Sequence, residues 1–256
     1  MIDGPSGRIL ATWPNGLFAL PHSITVDDHD NVWVTDVAWH QVFKFSHDGK
    51  LLLTLGERGV PGKDAKHFNE PSDVAVAPDG SVFVSDGYGN NRVAEFSPQG
   101  KFLREWGKRG SGAGELDLPH AIALDAARRV YVVDRNNNRI EIFDSAGGFV
   151  AHWPEGTFSS AQDVKVGRDG RVFIASAGRS GPIDSTGVVV LDSTGHFLQK
   201  VGGFGNYDGQ FIDLHWVAVS RSGALYTADF EGRRVQKFVQ SVGRLPTLSA
   251  GRVSSR

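Results

Sequence analysis

Three histidines occupy the same place in three local sequences: Leu20-Pro21-His22-Ser23-Ile24, Leu118-Pro119-His120-Ala121-Ile122 and Asp213-Leu214-His215-Trp216-Val217. They are 98 and 95 residues apart, and each gap holds two copies of a repeat. If the repeats are blades of a six-fold ring, every second blade aims an imidazole at the axis. Three neutral imidazoles with the remaining positions open are the donor set of a catalytic zinc site, whereas a structural zinc site closes with four protein ligands. Copper(II) prefers tetragonal geometry and non-haem iron usually adds a carboxylate, so the expected ion is zinc. The chain has no cysteine, which excludes thiolate ligands and disulfides alike. Histidines 29, 40, 47, 67, 152 and 196 fall outside this register and read as surface or loop residues.

The repeat that must position these histidines is clearest in its second copy. Residues 72–76 alternate and end at the turn Ala77-Pro78-Asp79-Gly80; residues 81–86 form a second strand before the bend Gly87-Tyr88-Gly89-Asn90-Asn91. Residues 92–96 are a third strand, Ser97-Pro98-Gln99-Gly100 a turn, and residues 101–106 a fourth. Short alternating runs separated by Asp-Gly and Pro-x-Gly turns predict four antiparallel strands, the size of a propeller blade. Copies start near Pro21, Pro71, Pro119, Ala161 and Leu214. The predicted fold is all-β: a six-bladed β-propeller over residues 1–240 and a C-terminal tail over 241–256. Residues 1–20 read as the end of a preceding blade, because Met1–Leu10 resembles the strand–turn–strand passage Val190–Leu198. The third histidine-to-histidine arc should also span about 96 residues, yet only 62 remain for it, so the first blade is expected to lack a part.

Composition narrows the function classes. Lys and Arg number 27 against 29 Asp and Glu, a formal net charge of −2, and no basic run suggests a nucleic-acid footprint. No apolar stretch approaches the roughly 18 residues that cross a bilayer, and the first residues lack the basic start and apolar core of a secretory signal. As written, the chain reads as a cytoplasmic monomer acting on a small substrate, or a secreted one if a leader has been removed.

Two bend residues could do chemistry beside a metal. Tyr88 follows Ser85-Asp86-Gly87, and Arg135 follows Val133-Asp134 at the equivalent bend of the third repeat. A phenol beside a cation can lose its proton more easily and act as a base. A guanidinium can hold a carboxylate through two hydrogen bonds. By contrast, the recurring Asp36, Asp86, Asp134 and Asp229, with Arg92, Arg139 and Arg234, read as structural: Asp caps the bend and Arg pairs with a neighbour. From the residues alone, three functions stay open: a metal-dependent lyase, a metal-dependent hydrolase or lactonase in the same cavity, and a non-catalytic propeller that binds a protein.

One resemblance separates these. Residues 20–143 resemble the NHL-repeat propeller of peptidyl-α-hydroxyglycine α-amidating lyase, through Leu20–Ile24, Trp33–Lys44, Pro61–Phe68, Pro71–Val76, Val82–Tyr88 and Leu118–Ile122. The similarity weakens after about residue 150 and returns around His215. It implies a zinc-dependent carbon–nitrogen lyase that cleaves a C-terminal α-hydroxyglycine into a peptide amide and glyoxylate. The family's zinc ligands fall on His22, His120 and His215, its catalytic tyrosine on Tyr88 and a substrate-binding arginine on Arg135. A second family arginine lies further upstream; only Arg8 is present in residues 1–21, so activity is expected to suffer if that segment is missing. The family also holds a structural calcium through an acidic residue after the third histidine. Trp216 stands there instead, which argues against Ca2+.

Overall fold

A computed structural model describes residues 3, 6–13, 16–154, 156–178, 185–240 and 248–252. The chain is all-β, and its strands follow the punctuation of the repeats. The first sheet comprises β1 (Pro21–Val26), β2 (Val32–Asp36), β3 (Gln41–Phe45) and β4 (Leu51–Leu55). The second comprises β5 (Pro71–Val76), β6 (Val82–Asp86), β7 (Arg92–Phe96) and β8 (Phe102–Trp106), and the third β9 (Pro119–Leu124), β10 (Val130–Asp134), β11 (Arg139–Phe143) and β12 (Phe149–Pro154). These three sheets belong to one compact unit, residues 14–154. A second unit, residues 1–13 and 155–256, holds β13 (Ala161–Val166), β14 (Val172–Ser176), β15 (Gly187–Leu191) and β16 (Phe197–Val201). It also holds the two-residue pair β17 (Gly203–Phe204) and β18 (Gln210–Phe211), then β19 (Leu214–Val219), β20 (Leu225–Asp229), β21 (Arg234–Gln240) and β22 (Leu248–Arg252). Every four-stranded sheet is an antiparallel meander in chain order, the construction of a β-propeller blade. Five such sheets, not six, stand among the described residues.

The alternation of each strand explains the core. In β6, Val82 and Val84 pack with Trp33, Val42, Phe68 and Val74 on one face of the second sheet. Phe83, between them in sequence, packs on the other face with Leu116, Ile122, Val132 and Phe143. Successive side chains of a strand point to opposite faces, so one five-residue strand cements two neighbouring blades. Phe173, Val188, Val190, Phe211, Leu225 and Phe238 build the corresponding cluster of the other unit.

One stretch differs from the sequence reading. Leu248–Arg252 pairs with β21 as the fourth strand of its sheet, where a tail was expected; residues 241–247 and 253–256 lie outside the described residues. Near the start, Asp3 and Arg8 close a tight turn, with Asp3 N donating to Arg8 O and Gly7 N to Asp3 O, both at 2.8 Å. The turn after β15 is closed by the matching pair of bonds, Asp192 N to His196 O and Gly195 N to Asp192 O; Met1, Ile2, Gly4 and Pro5 lie outside the described residues.

Candidate functional site

The inner strand of every blade carries a β-bulge near its start. Pro21 pairs with Asp36 and Ser23 with Thr35, leaving His22 unpaired. The same shift isolates Ser72 in β5, His120 in β9, Gln162 in β13 and His215 in β19. A bulge re-aims the extra residue out of the ladder, so each sheet presents one side chain from a fixed point. The three histidines take that point in the first, third and fifth sheets, and Ser72 and Gln162 take it in the others.

Carboxylates at the end of the second strands build the entrance to the bulge. Asp86 accepts from Asn69 N at 2.9 Å, and Asp134 from Asp117 N at 2.6 Å. Arg92 and Arg139 bind these carboxylates through Nε, at 2.8 and 2.7 Å. Their remaining nitrogens donate to loop carbonyls, of Asp64 and His67 for Arg92, and of Ser111, Gly112 and Glu115 for Arg139. These residues hold the bends in place, which is why the bends can carry chemistry.

Within residues 14–154, three of the predicted site residues meet. The oxygen of Tyr88 lies 2.9 Å from His22 Nε2 and 2.9 Å from His120 Nε2, and the two imidazole rings are 5.0 Å apart, centroid to centroid. His22 Nδ1 lies 2.6 Å from the carbonyl oxygen of Ser72. A carbonyl only accepts, so Nδ1 carries the proton and Nε2 presents its lone pair. Burial, above all, pushes the His22 pKa down, against the opposing pull of the Ser72 hydrogen bond and the Asp73 charge. The ring is therefore neutral at physiological pH, the form that ligates a metal. With its Nε2 accepting from the phenol, the single Tyr88 proton is committed, and His120 Nε2 donates to the phenol oxygen.

Arg135 acts on Tyr88 by charge and by hydrogen bonding, both lowering its pKa, but burial outweighs them and raises it. The phenol is thus protonated at neutral pH; the lowering expected from the sequence requires a cation beside it. An inserted glycine places the ring. In the third blade, Arg135 N donates to Leu118 O; in the second, Tyr88 N donates to Glu70 O. Tyr88 stands two residues beyond its strand and Arg135 only one, and Gly87 is the extra residue. A Cβ on Gly87 would lie 1.8 Å from Pro119 O, so only glycine lets this bend pass so close to the histidine-bearing strand. Glu70 and Leu118, whose carbonyls receive those two bend amides, both adopt left-handed φ, 60° and 59°. Such a backbone is unusual for a large side chain.

The residues around these side chains were not legible as functional. Ser72 O also accepts from Thr35 Oγ1 at 3.1 Å, and Ser72 Oγ lies 2.7 Å from Pro119 O. Asp73 Oδ2 accepts from Ile122 N at 3.0 Å. The available signal was the register: Ser72 stands in its repeat where the histidines stand in theirs.

His215 belongs to the other unit. At the bulge of β19 its ring lies 4.1 Å from that of Trp216 and 5.9 Å from that of Phe230. Phe230 N donates to Asp213 O at 2.9 Å, the hydrogen bond that Tyr88 and Arg135 make in their own blades. Asp163 Oδ2 accepts from Val217 N at 3.0 Å, repeating in this unit the bond from Asp73 to Ile122.

Repeated four-stranded meanders with a bulged inner strand make a β-propeller fold, and the NHL repeat profile matches residues 18–45, 68–96 and 116–143. The selenomethionine form of virginiamycin B lyase from Staphylococcus aureus shares the fold, with a TM-score of 0.61 over 90% of this chain and 69% of that one, at 16% identity. The chain is a homologue of the peptidyl-α-hydroxyglycine α-amidating lyases. It is 34% identical to peptidyl-α-hydroxyglycine α-amidating lyase 1 of Drosophila melanogaster, over 99% of this chain and 51% of the fly protein. It is 36% identical to the peptidyl-glycine α-amidating monooxygenase of Mus musculus, over 96% of this chain and 26% of the mouse protein. The chain thus spans about a quarter of the mouse relative's length and half of the fly relative's.

Proposed function

We propose that the chain is a zinc-dependent lyase that cleaves the C–N bond of a C-terminal α-hydroxyglycine, yielding an amide and glyoxylate, on a six-bladed propeller and as a monomer. The observation that carries this is the convergence of His22 and His120 on the Tyr88 oxygen, 2.9 Å from each, with Arg135 acting on the same phenol. The names of the fly and mouse relatives support the same chemistry.

The donor set fits the ion. His22, His120 and His215 would hold it, each from the same bulge position, and no cysteine competes. The chemistry zinc supplies when bound is Lewis-acid polarisation of the substrate's α-hydroxyl oxygen. Trp216, in the place of the acidic ligand, leaves calcium out of the proposal.

The chain's own residues account for the rest. Arg135 pairs with the substrate carboxylate, which becomes the carboxylate of glyoxylate. For the bond to break, the hydroxyl proton must leave oxygen and the amide nitrogen must gain one. The C–N electron pair goes to nitrogen, and the O–H pair becomes the carbonyl of glyoxylate. Tyr88 Oη relays that proton, since a protonated phenol can give its proton to nitrogen and take the one from the hydroxyl. The test is glyoxylate release from an α-hydroxyglycine-terminated peptide by the zinc-loaded chain. We expect one glyoxylate per amide, and a raised KM for Arg135→Ala. A chain that holds one zinc yet releases no glyoxylate overturns the proposal.

A further inference from the structure

The inner strand of the second blade supplies no histidine, yet it touches both histidine-bearing strands of its unit. We infer that Ser72 and Asp73 are positioning residues that set His22 and His120 for metal binding, an inference that rests on reading these histidines as ligands. Ser72 is fully buried and Asp73 nearly so. The Ser72 carbonyl accepts from His22 Nδ1 at 2.6 Å, which fixes both the ring orientation and the tautomer. Its hydroxyl oxygen lies 2.7 Å from the carbonyl of Pro119, the residue before His120. Asp73 Oδ2 holds Ile122 N at 3.0 Å, two residues after His120, while Oδ1 accepts from Val74 N at 2.8 Å. His120 is therefore fastened on both sides from one neighbouring dipeptide, and His22 is held by the same dipeptide through its ring.

The other unit repeats the device. Gln162 takes the place of Ser72, and buried Asp163 holds Val217 N at 3.0 Å, two residues after His215. In both units the blade without a histidine therefore braces the next blade that has one. Partners beyond the ligands orient imidazoles, and their loss typically weakens a metal about 10–100-fold.

The experiment is zinc affinity by competition with a chromophoric chelator, with the absorption spectrum of the cobalt(II)-substituted full chain as a second readout. Wild type, Ser72→Ala, Asp73→Asn and Asp163→Asn are compared with Asp27→Asn. Asp27 is also a buried carboxylate, accepting from Trp33 Nε1 at 3.0 Å, but it holds the turn at the far end of β1. Metal-free unfolding temperatures are measured alongside. We expect zinc affinity about 10–100-fold weaker and altered cobalt bands in the three bracing variants. Asp27→Asn should lower the unfolding temperature but leave affinity within about twofold. Ser72→Ala removes one hydroxyl and decides the matter even if an Asp variant fails to fold. Unchanged affinity and spectrum in Ser72→Ala and Asp73→Asn, with wild type binding zinc, overturn the bracing role alone. A wild-type chain that binds no zinc overturns the metal reading and this inference with it.

Discussion

Gly87→Ala is the sharpest test of how the fold sets the site. The added Cβ would stand 1.8 Å from Pro119 O and 2.8 Å from Pro119 C. Real Cβ atoms essentially never come within 3.0 Å of another atom, so one element must yield by about 1.2 Å, the difference between 3.0 and 1.8. Pro119 cannot retreat easily: its carbonyl meets the Ser72 hydroxyl at 2.7 Å, and the next residue is His120. Nor can the bend retreat without opening the two 2.9 Å hydrogen bonds that the Tyr88 hydroxyl shares with His22 and His120. Overpacking of this kind costs about 1–3 kcal/mol, and in a chain this size each kcal/mol lowers Tm by about 2–4 °C. A misplacement of about 1 Å at reacting groups reduces turnover about 10²-fold. Thermal unfolding and glyoxylate release are measured on the same preparation, with Gly156→Ala as control, since nothing lies within 4 Å of its added Cβ. The control should stay within about 0.5 kcal/mol of wild type. Wild-type Tm and turnover in Gly87→Ala would refute the claim that this glycine sets the distance between bend and strand.

Other outcomes follow from the same structure. Asp86→Asn takes the fully buried carboxylate from Arg92 Nε, leaving Arg92 to Glu105 and two loop carbonyls, and should cost about 1–3 kcal/mol in urea unfolding. Asp169→Asn, which breaks the half-exposed pair with Arg171, should cost about 0–1 kcal/mol; equal losses would contradict the role given to burial. Burial pushes Glu141 up to about 7 despite the adjacent Arg139. The folded state therefore keeps a proton that the unfolded chain has already released above its ordinary carboxylate pKa. Between about pH 4.5 and 7 this group makes stability fall as pH rises, by up to about 3 kcal/mol. Glu141→Gln should remove that slope when urea midpoints are compared at pH 5 and pH 8, and an unchanged slope would show that another group carries it. Tyr88→Phe should keep its zinc but lose about 10²–10⁴ in kcat, and retained turnover would remove the phenol from the reaction.

Much of this protein lies within a few adjacent residues at a time. Period-two alternation from Val82 to Asp86, the Asp79-Gly80 and Gln99-Gly100 turns, the Asp that ends four of the second strands and the Arg that opens three of the third strands are local signals. They determine strands, turns and an all-β repeat. The spacing of His22, His120 and His215 is equally local, because each sits at one register position of its own repeat. Other features depended on how neighbouring sheets stack. The bulge that turns the histidines out of their ladders and the inserted Gly87 that lets Tyr88 reach them have no signature in periodicity. Nor does the bond from His22 to the Ser72 carbonyl, fifty residues along the chain. The direction of the Tyr88 pKa was likewise decided in space, where burial outweighs Arg135. Turn chemistry acts between residues that are neighbours in the chain, so the sequence by itself determines it. The bracing of one blade's histidine by a neighbouring blade acts between side chains and backbone groups brought together only when each sheet buries both faces, so the tertiary structure alone decides it.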